Sequence, residues 1–286
     1  MRIGIGLPNP VPGTPGTLLP TWASQAEQHG FSTLATIDRV AFANHDSLIA
    51  LAAAAAVTER IELLTNILLL PTRQPVLLAK ETATIASISN GRLTLGIGVG
   101  GREDDFTLSE TSFADRGKRT DQMLETMTAA WRGEPIDGST EPVVPVVPGG
   151  RVPLLVGGNG AAAVRRTIEY GDGWTVGGAP PDQVAPMVQR IRQAWTDAGK
   201  AGAPRILALT YYSLGGEVEE SSFGYLRHYY ATFGQYAEMI ANGALRSEDA
   251  VRGALDAYAE AGVDEVIFDP TVADLAQIDR LAKIVL

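Results

Sequence analysis

The stretch Arg92–Phe106, RLTLGIGVGGREDDF, decides how this chain folds. It opens on an apolar run, Leu93 to Ile97, and breaks into glycines at Gly96, Gly98, Gly100 and Gly101. A buried strand that ends in glycines lets another group come close to its backbone. The letters Gly96-x-Gly98-x-x-Gly101 match a dinucleotide fingerprint. That fingerprint needs a helix N-terminus aimed at a pyrophosphate. Here Glu103, Asp104 and Asp105 follow at once, and their charge repels phosphate. The stretch therefore reads as a strand end, and its meaning comes from what repeats around it.

Upstream, Ile61 to Leu70 is a near-continuous apolar run, as in a strand buried on both faces. The polar pair Thr65-Asn66 interrupts it. A helix over Val76–Ser89 follows, opened by Gln74 or Pro75 and ended by Asn90-Gly91. Earlier come a strand Ile3–Pro8 and a helix Leu18–His29 stopped by Gly30. A strand Phe31–Ile37 then leads to Asp38-Arg39 at its C-terminal end. An alanine-rich helix runs to Thr58, with Ser47 as its N-cap.

Downstream, a loop Gly100–Ala114 leads to a helix over Asp115–Trp131. The connection Glu134–Arg151 is rich in Pro and Gly, with room for a short extended hairpin. A strand Val152–Val156 enters the turn Gly157-Gly158-Asn159-Gly160, and a helix Ala161–Tyr170 leaves it. A strand from Gly173 ends in Gly177-Gly178, and Asp182 caps the next helix. Arg205–Leu214 is a strand, and Ser221–Leu245 is helical and aromatic-rich. Ser247 opens a helix to Ala261. Glu265–Asp269 is the last strand, and Asp274–Val285 the last helix. Strands alternating with helices over 286 residues predict an α/β fold, a (β/α)8 TIM-like barrel with insertion regions, as one domain over residues 1–286.

Composition narrows the function. The net charge is −10, which argues against nucleic acid or an anionic membrane as partner. No cysteine is present, which excludes disulfides, thiolate metal sites and cysteine nucleophiles. His29, His45 and His228 lie far apart and show no metal-ligand spacing. The chain starts directly on a strand, and its most apolar helix, Leu48–Val57, is far shorter than the ~20 residues of a membrane span. A cytoplasmic protein is expected.

In such a barrel the active site lies at the strand C-terminal ends. Asp38, Asn66, Gly98, the 157–160 turn and Gly177-Gly178 all fall there. The glycine turn before a helix suits an anion, since free N–H groups and the helix dipole point outward; an ordinary strand–helix turn is the plainer reading. No Gly-Lys-Ser/Thr follows, so it is not a nucleotide-hydrolysing loop. Asp38 can hydrogen-bond a cofactor or shuttle a proton, or it can pair with Arg39. Thr65-Asn66-Ile67 reads as a bulge or as irregular backbone under a flat ligand. The stripe Tyr225, Tyr229, Phe233, Tyr236 has helical spacing and fits a core as well as a pocket wall. His45 can reach the mouth from its loop; a surface position is the plainer reading.

Read together, these stretches resemble the luciferase-like monooxygenase superfamily. The most specific is Ile61–Gly101, with a proline–x–arginine–x–proline run, a helix ending in Ser-x-Gly-Arg and a strand ending in Gly-x-Gly. GGNG and GDGW between Val152 and Trp174 are a second match, and Tyr229-Tyr230 a third. The resemblance implies a barrel that binds coenzyme F420 or FMN and usually forms a homodimer. It implies that Ile5, Asp38, Asn66 and Gly98 line the cofactor ring. Gly158, Asn159, Gly160, Gly177 and Gly178 would hold the phosphate, and a non-proline cis peptide would lie at Asn66-Ile67. Luciferase carries its catalytic histidine where this chain has Asp38, whereas the F420-dependent branch often has Asp there. The expected function is hydride transfer between F420 and a small organic substrate, with Asp38 catalytic. The alternatives are an FMN-dependent monooxygenase fed by a separate reductase, and a non-catalytic flavin-binding barrel. The helices Ser47–Thr58 and Val76–Ser89 are the expected dimer face.

Overall fold

The strands are apolar on both faces because both faces are buried. In the computed structural model, which describes residues 1–286 apart from the side chain of Glu217, eight parallel strands close into a barrel in chain order. They are β1 (Arg2–Gly6), β2 (Thr33–Thr36), β3 (Glu62–Leu69), β4 (Leu93–Gly98), β5 (Leu154–Gly157), β6 (Gly173–Gly177), β7 (Arg205–Tyr212) and β8 (Glu265–Pro270). Pairing of Ile5 with Phe268 closes β1 on β8.

Side chains alternate between two layers, as strand geometry requires. Ile5, Leu34, Leu63, Trp174, Ile206 and Phe268 pack outward against the helices in one core. Ala35, Leu64, Leu155, Leu207, Leu209 and Ile267 fill the interior. The N-terminal end of the interior is closed by charge. Arg205 pairs with Glu62 at 2.9 Å and with Glu265, while Ser32 Oγ donates to Glu265 at 2.7 Å.

Helices coat the barrel. After β1 comes α1 (Leu18–His29), then α2 (Ser47–Val57) and α3 (Pro75–Ile88). The N-cap of α2 is Asp46, not Ser47: its carboxylate accepts from the amides of Leu48 and Ile49, both at 2.9 Å. Ser47 turns inward to meet Thr36 Oγ1 at 2.9 Å. Gln74 caps α3 and Pro75 takes its first position. The arginine of Ser-Asn-Gly-Arg has a structural task. The Arg92 guanidinium donates to the carbonyls of Ala55, Thr58 and Ile61, and its Nε to that of Ser89. It thereby satisfies carbonyls that helix ends leave free.

The loop expected over 100–114 holds a helix, α4 (Glu103–Leu108). Its acids suit a helix N-terminus, and two of them have a partner. Asp105 Oδ1 accepts from the amides of Val40 and Ala41 at 2.8 and 2.7 Å and pairs with Arg39, which also reaches Asp104 at 3.0 Å. The rest are α5 (Arg116–Trp131), α6 (Ala161–Tyr170), α7 (Pro181–Asp197), α8 (Glu219–Tyr229), α9 (Gln235–Gly243), α10 (Glu248–Glu260) and α11 (Ala276–Val285). Pro180, not Asp182, precedes α7 as its cap. The segment 221–245 is two helices, broken at Gly234 with φ 56° and ψ −122°, a backbone conformation that favours glycine. Among the described residues no strand forms over 134–151, and no helix is long and apolar enough to cross a membrane.

Arg39 and Asp105 are both buried, so removing one strands the other. Asp105→Ala is expected to lose about 3–5 kcal/mol of stability in urea unfolding. Asp104→Ala, whose carboxylate is 42% exposed, should lose less than about 1 kcal/mol. Equal losses from the two variants would contradict this account of how α4 is held.

Candidate active site

The C-terminal mouth of the barrel differs from its other end in having gaps. Gly6, Gly98, Gly157 and Gly177 stand at the ends of β1, β4, β5 and β6. A Cβ on Gly98 would lie 2.6 Å from Ile67 Cδ1, and one on Gly6 would collide with the carboxyl of Asp269. At Gly177 nothing lies within 4 Å. Beside that open glycine is a cavity of about 220 Å³ lined by Asp38, Asn66, Ile67, Gly177, Tyr211 and Tyr230, with Arg102 at its edge.

Asp38 follows β2 and is buried. Its oxygens accept from the Leu69 amide at 3.0 Å and from Arg73 at 2.9 Å. Burial pushes its carboxyl above the usual carboxylate range, against the pull of Arg73 and of the Leu69 amide. The partner is therefore Arg73, not the adjacent Arg39. The proline–x–arginine–x–proline run explains the geometry: Arg119 holds the carbonyls of Pro71 and Arg73 at 2.8 Å each, and Pro75 starts α3. Arg73 bridges onward to Asp46 at 3.1 Å.

Asn66 lies where the β3–β4 register shifts, and its peptide bond to Ile67 is cis. Its side-chain oxygen accepts from Thr175 Oγ1 at 2.7 Å. Its amide nitrogen is buried and has no partner. Buried amides are rarely left so, and this one borders the cavity.

The 157–160 turn is exposed at the start of α6, with Gly158 at φ 109°. No side chain caps α6. Arg190 donates to the Asn159 carbonyl at 3.4 Å, so a cation stands beside the turn. Gly178, at φ 66°, faces Ile240 in a neighbouring apolar groove of about 340 Å³ rather than the mouth cavity. The structure thus brings Asp38, Asn66 and Gly177 together, with Gly98 behind Ile67 and the 158–160 turn at the rim. Ile5 does not join them. Its side chain belongs to the outer layer, because Gly4 and Gly6 take the inward positions on β1.

A roof of aromatic residues covers the mouth. The Arg102 guanidinium lies 4.9, 5.2 and 4.6 Å from the ring centres of Tyr229, Tyr230 and Phe233. Tyr211 and Tyr230 share a hydrogen bond between hydroxyls at 2.7 Å. Burial pushes the Tyr230 hydroxyl up to about 12 and that of Tyr211 well above its usual value. Both therefore stay protonated donors near neutral pH. Tyr225 and Tyr229 are buried and Tyr236 is half exposed, so the helical stripe is part core and part wall.

The histidines lie elsewhere. His45 Nε2 bonds the Thr14 carbonyl at 2.8 Å, His29 pairs with Asp279 at 2.7 Å, and the His228 ring packs on Phe42. Among the described residues no group of His, Cys, Asp or Glu could hold a metal. Sequence reasoning missed Arg73, Thr175, Tyr211 and Asp269. Arg73 stood in a quoted motif, and Asp269 ends a strand just as Asp38 does.

Comparison with known proteins agrees with this geometry. The profile of the luciferase-like monooxygenase family matches residues 1–274. An uncharacterized protein of Mycobacterium tuberculosis is 33% identical over 161 residues, 54% of this chain and 56% of that protein. The F420-dependent glucose-6-phosphate dehydrogenase of Nocardia farcinica is 30% identical over 166 residues, 52% of this chain and 49% of that enzyme. These matches span only about half the length of the curated relatives. The crystal structure of monooxygenase RslO1 from Streptomyces bottropensis superposes with a TM-score of 0.82 at 22% identity, covering 99% of this chain and 97% of that one. With the barrel, the mouth and the profile match in agreement, this chain belongs to the luciferase-like monooxygenase family.

Proposed function

We propose that this protein is an oxidoreductase that moves a hydride between coenzyme F420 and a small organic substrate at the barrel mouth. The observation that carries the reading is the unpartnered amide of Asn66 beside the open glycine Gly177. A flat heteroaromatic ring with polar edges fits such a place, since glycines leave room for it and an amide can donate to it. The F420-dependent relative from Nocardia farcinica and the Asp at position 38 favour the deazaflavin over FMN. The bound cofactor supplies the hydride chemistry, and the protein binds it, orients it and excludes water.

Each residue then has a part. Asn66, fixed by Thr175, meets the ring. The turn 158–160 at the start of α6 takes the phosphate, with Arg190 alongside. Gly177 leaves space, and Gly178 lets the chain turn away. Asp38 already has a protein partner on each oxygen, so its part is to hold the end of β3 and Arg73 in place rather than to carry a proton. The cavity of about 220 Å³ is smaller than the ~300–1,000 Å³ of ordinary ligand sites. Tyr230 must therefore part from Tyr211 to admit the ligands, and Gly234 supplies a break at which the roof can move.

The net charge of −10 favours small molecules over nucleic acid or anionic membrane as partners. A second copy of the chain is the protein partner in this reading. Ile49, Leu77 and Ile88 are 73, 55 and 52% exposed on α2 and α3, where a soluble monomer gains nothing by showing them.

Two outcomes follow. In fluorescence titrations at low salt F420 binds more tightly than FMN, and Asn66→Ala weakens F420 binding by about 10-fold, the worth of a hydrogen bond that also relieves a buried donor. Preference for FMN would move the reading to an oxygen-using monooxygenase served by a separate reductase. Binding of neither would leave a non-catalytic barrel. Sedimentation at micromolar concentration should show a dimer that Leu77→Lys converts to monomer; a wild-type monomer would remove the proposed face.

A further inference from the structure

Two acids on the inner face of β8 have opposite surroundings. Glu265, at the closed end of the barrel, is fully buried and accepts from Arg205, Ser32 and Thr33. Asp269, one inward repeat beyond Ile267, is equally buried, yet neither of its carboxyl oxygens has a partner. Gly6 on the neighbouring strand is glycine where a Cβ would collide with that carboxyl, so the position is built around the acid. Tyr211, which lines the mouth cavity, is the register neighbour of Asp269 on β7. The Tyr225 hydroxyl in the roof is also buried without a partner. Unpaired buried polar atoms occur in several parts of the molecule, Trp22 and Trp195 among them, but a buried carboxyl with neither oxygen partnered occurs only at Asp269 among the described residues; it lies beside Tyr211, at the end of the barrel where the Asn66 amide borders the cavity.

None of the usual structural reasons for a buried acid applies to Asp269. Among the described residues it caps no helix and pairs with no cation. An isolated ionised carboxylate is too costly in such surroundings, so it waits as the neutral acid. Burial raises its carboxyl well above the usual range, in keeping with that state. Around it stand the hydroxyls of Tyr211, Tyr225 and Tyr230, each raised first by burial, whereas Tyr212, the next residue on β7, packs in the outer layer.

We propose that Asp269 is the substrate-recognising acid of the mouth, and that it takes a ligand group carrying its own hydrogen donor, an alcohol or an amine. A neutral carboxyl has one O–H to give and one C=O to fill. A ligand hydroxyl accepts the first and donates to the second. An amine arrives at neutral pH as ammonium; the acid then gives its proton to solvent, and the ammonium fills both carboxylate oxygens among tyrosine rings that favour a cation. A ketone accepts one bond and leaves the other oxygen bare. The site therefore selects the reduced member of a carbinol–ketone or amine–imine pair, three strands round the barrel from Asn66. This names a substrate class for the proposed hydride transfer and rests on that reading only for the chemistry; the binding preference stands alone.

The test uses the full chain without cofactor and three probes of one size: cyclohexanol, cyclohexylamine and cyclohexanone. Infrared difference spectra of wild type against Asp269→Asn should show a protonated carboxyl band near neutral pH. Cyclohexanol should shift that band and cyclohexylamine should abolish it. By calorimetry the alcohol and the amine should bind about 10-fold or more tightly than the ketone, and Asp269→Leu should erase the difference. A band that none of the probes moves, or a preference that survives in Asp269→Leu, would overturn the proposal. If Asp269→Asn folds poorly, Asp269→Leu supplies the reference that separates the Asp269 band from that of Asp38, and wild-type spectra with and without each probe then show whether the band moves. F420 titrations that succeed while the band stays fixed would remove this inference and leave the cofactor reading standing.

Discussion

A closed barrel of eight parallel strands has little interior, and alternate residues of every strand compete for it. That constraint sets everything else in this molecule. In the middle layer leucine, isoleucine and alanine fill the space. At the N-terminal end arginines and glutamates fill it as mutual partners. At the C-terminal end Gly6, Gly98, Gly157 and Gly177 decline to fill it. The room they leave is taken in part by Asp269 and Ile67 and is left open only at Gly177. The mouth has room because the strands supply backbone there without side chains.

Electrostatics divides the buried polar groups into two kinds. Arg39 with Asp105, Arg73 with Asp38, and Arg205 with Glu265 are matched, so each ties an irregular segment to the barrel. Breaking such a pair is costly because the remaining charge stays buried. Asp269 and the Asn66 amide are unmatched. Matched groups account for shape; these two unmatched ones are those to which the proposed ligands would bind. The roof connects the two kinds: Arg102 stacks on Tyr229 and Tyr230, and Tyr230 bonds Tyr211 over the cavity.

Much of the fold was legible in the sequence. Apolar runs separated by amphipathic helices gave all eight strands within a few residues, and the family motifs marked the region of the mouth. What escaped was local or long-range. The acids after Gly101 read as phosphate-repelling loop residues, but they form α4 because Arg39, some sixty positions earlier, pairs with Asp104 and Asp105. Capping by Asp46 rather than Ser47 turned on a neighbour of equal propensity, decided by Thr36 reaching Ser47. The aromatic stripe has one helical spacing in sequence, yet Gly234 breaks it. Ile5 reads as mouth-lining by position, and only the inner places of Gly4 and Gly6 put it outside. The partner of Asp38 could not be read from proximity in sequence, since Arg73 comes from the end of the next strand.

The most direct test of the account is a crystal structure of the protein soaked with F420. The account predicts the deazaflavin ring over Gly177 with a polar edge within hydrogen-bond distance of Asn66 Nδ2, the phosphate at residues 158–160, and Tyr230 moved away from Tyr211. A ring bound elsewhere, with the Asn66 amide still unpaired and the Tyr211–Tyr230 bond intact, would contradict it.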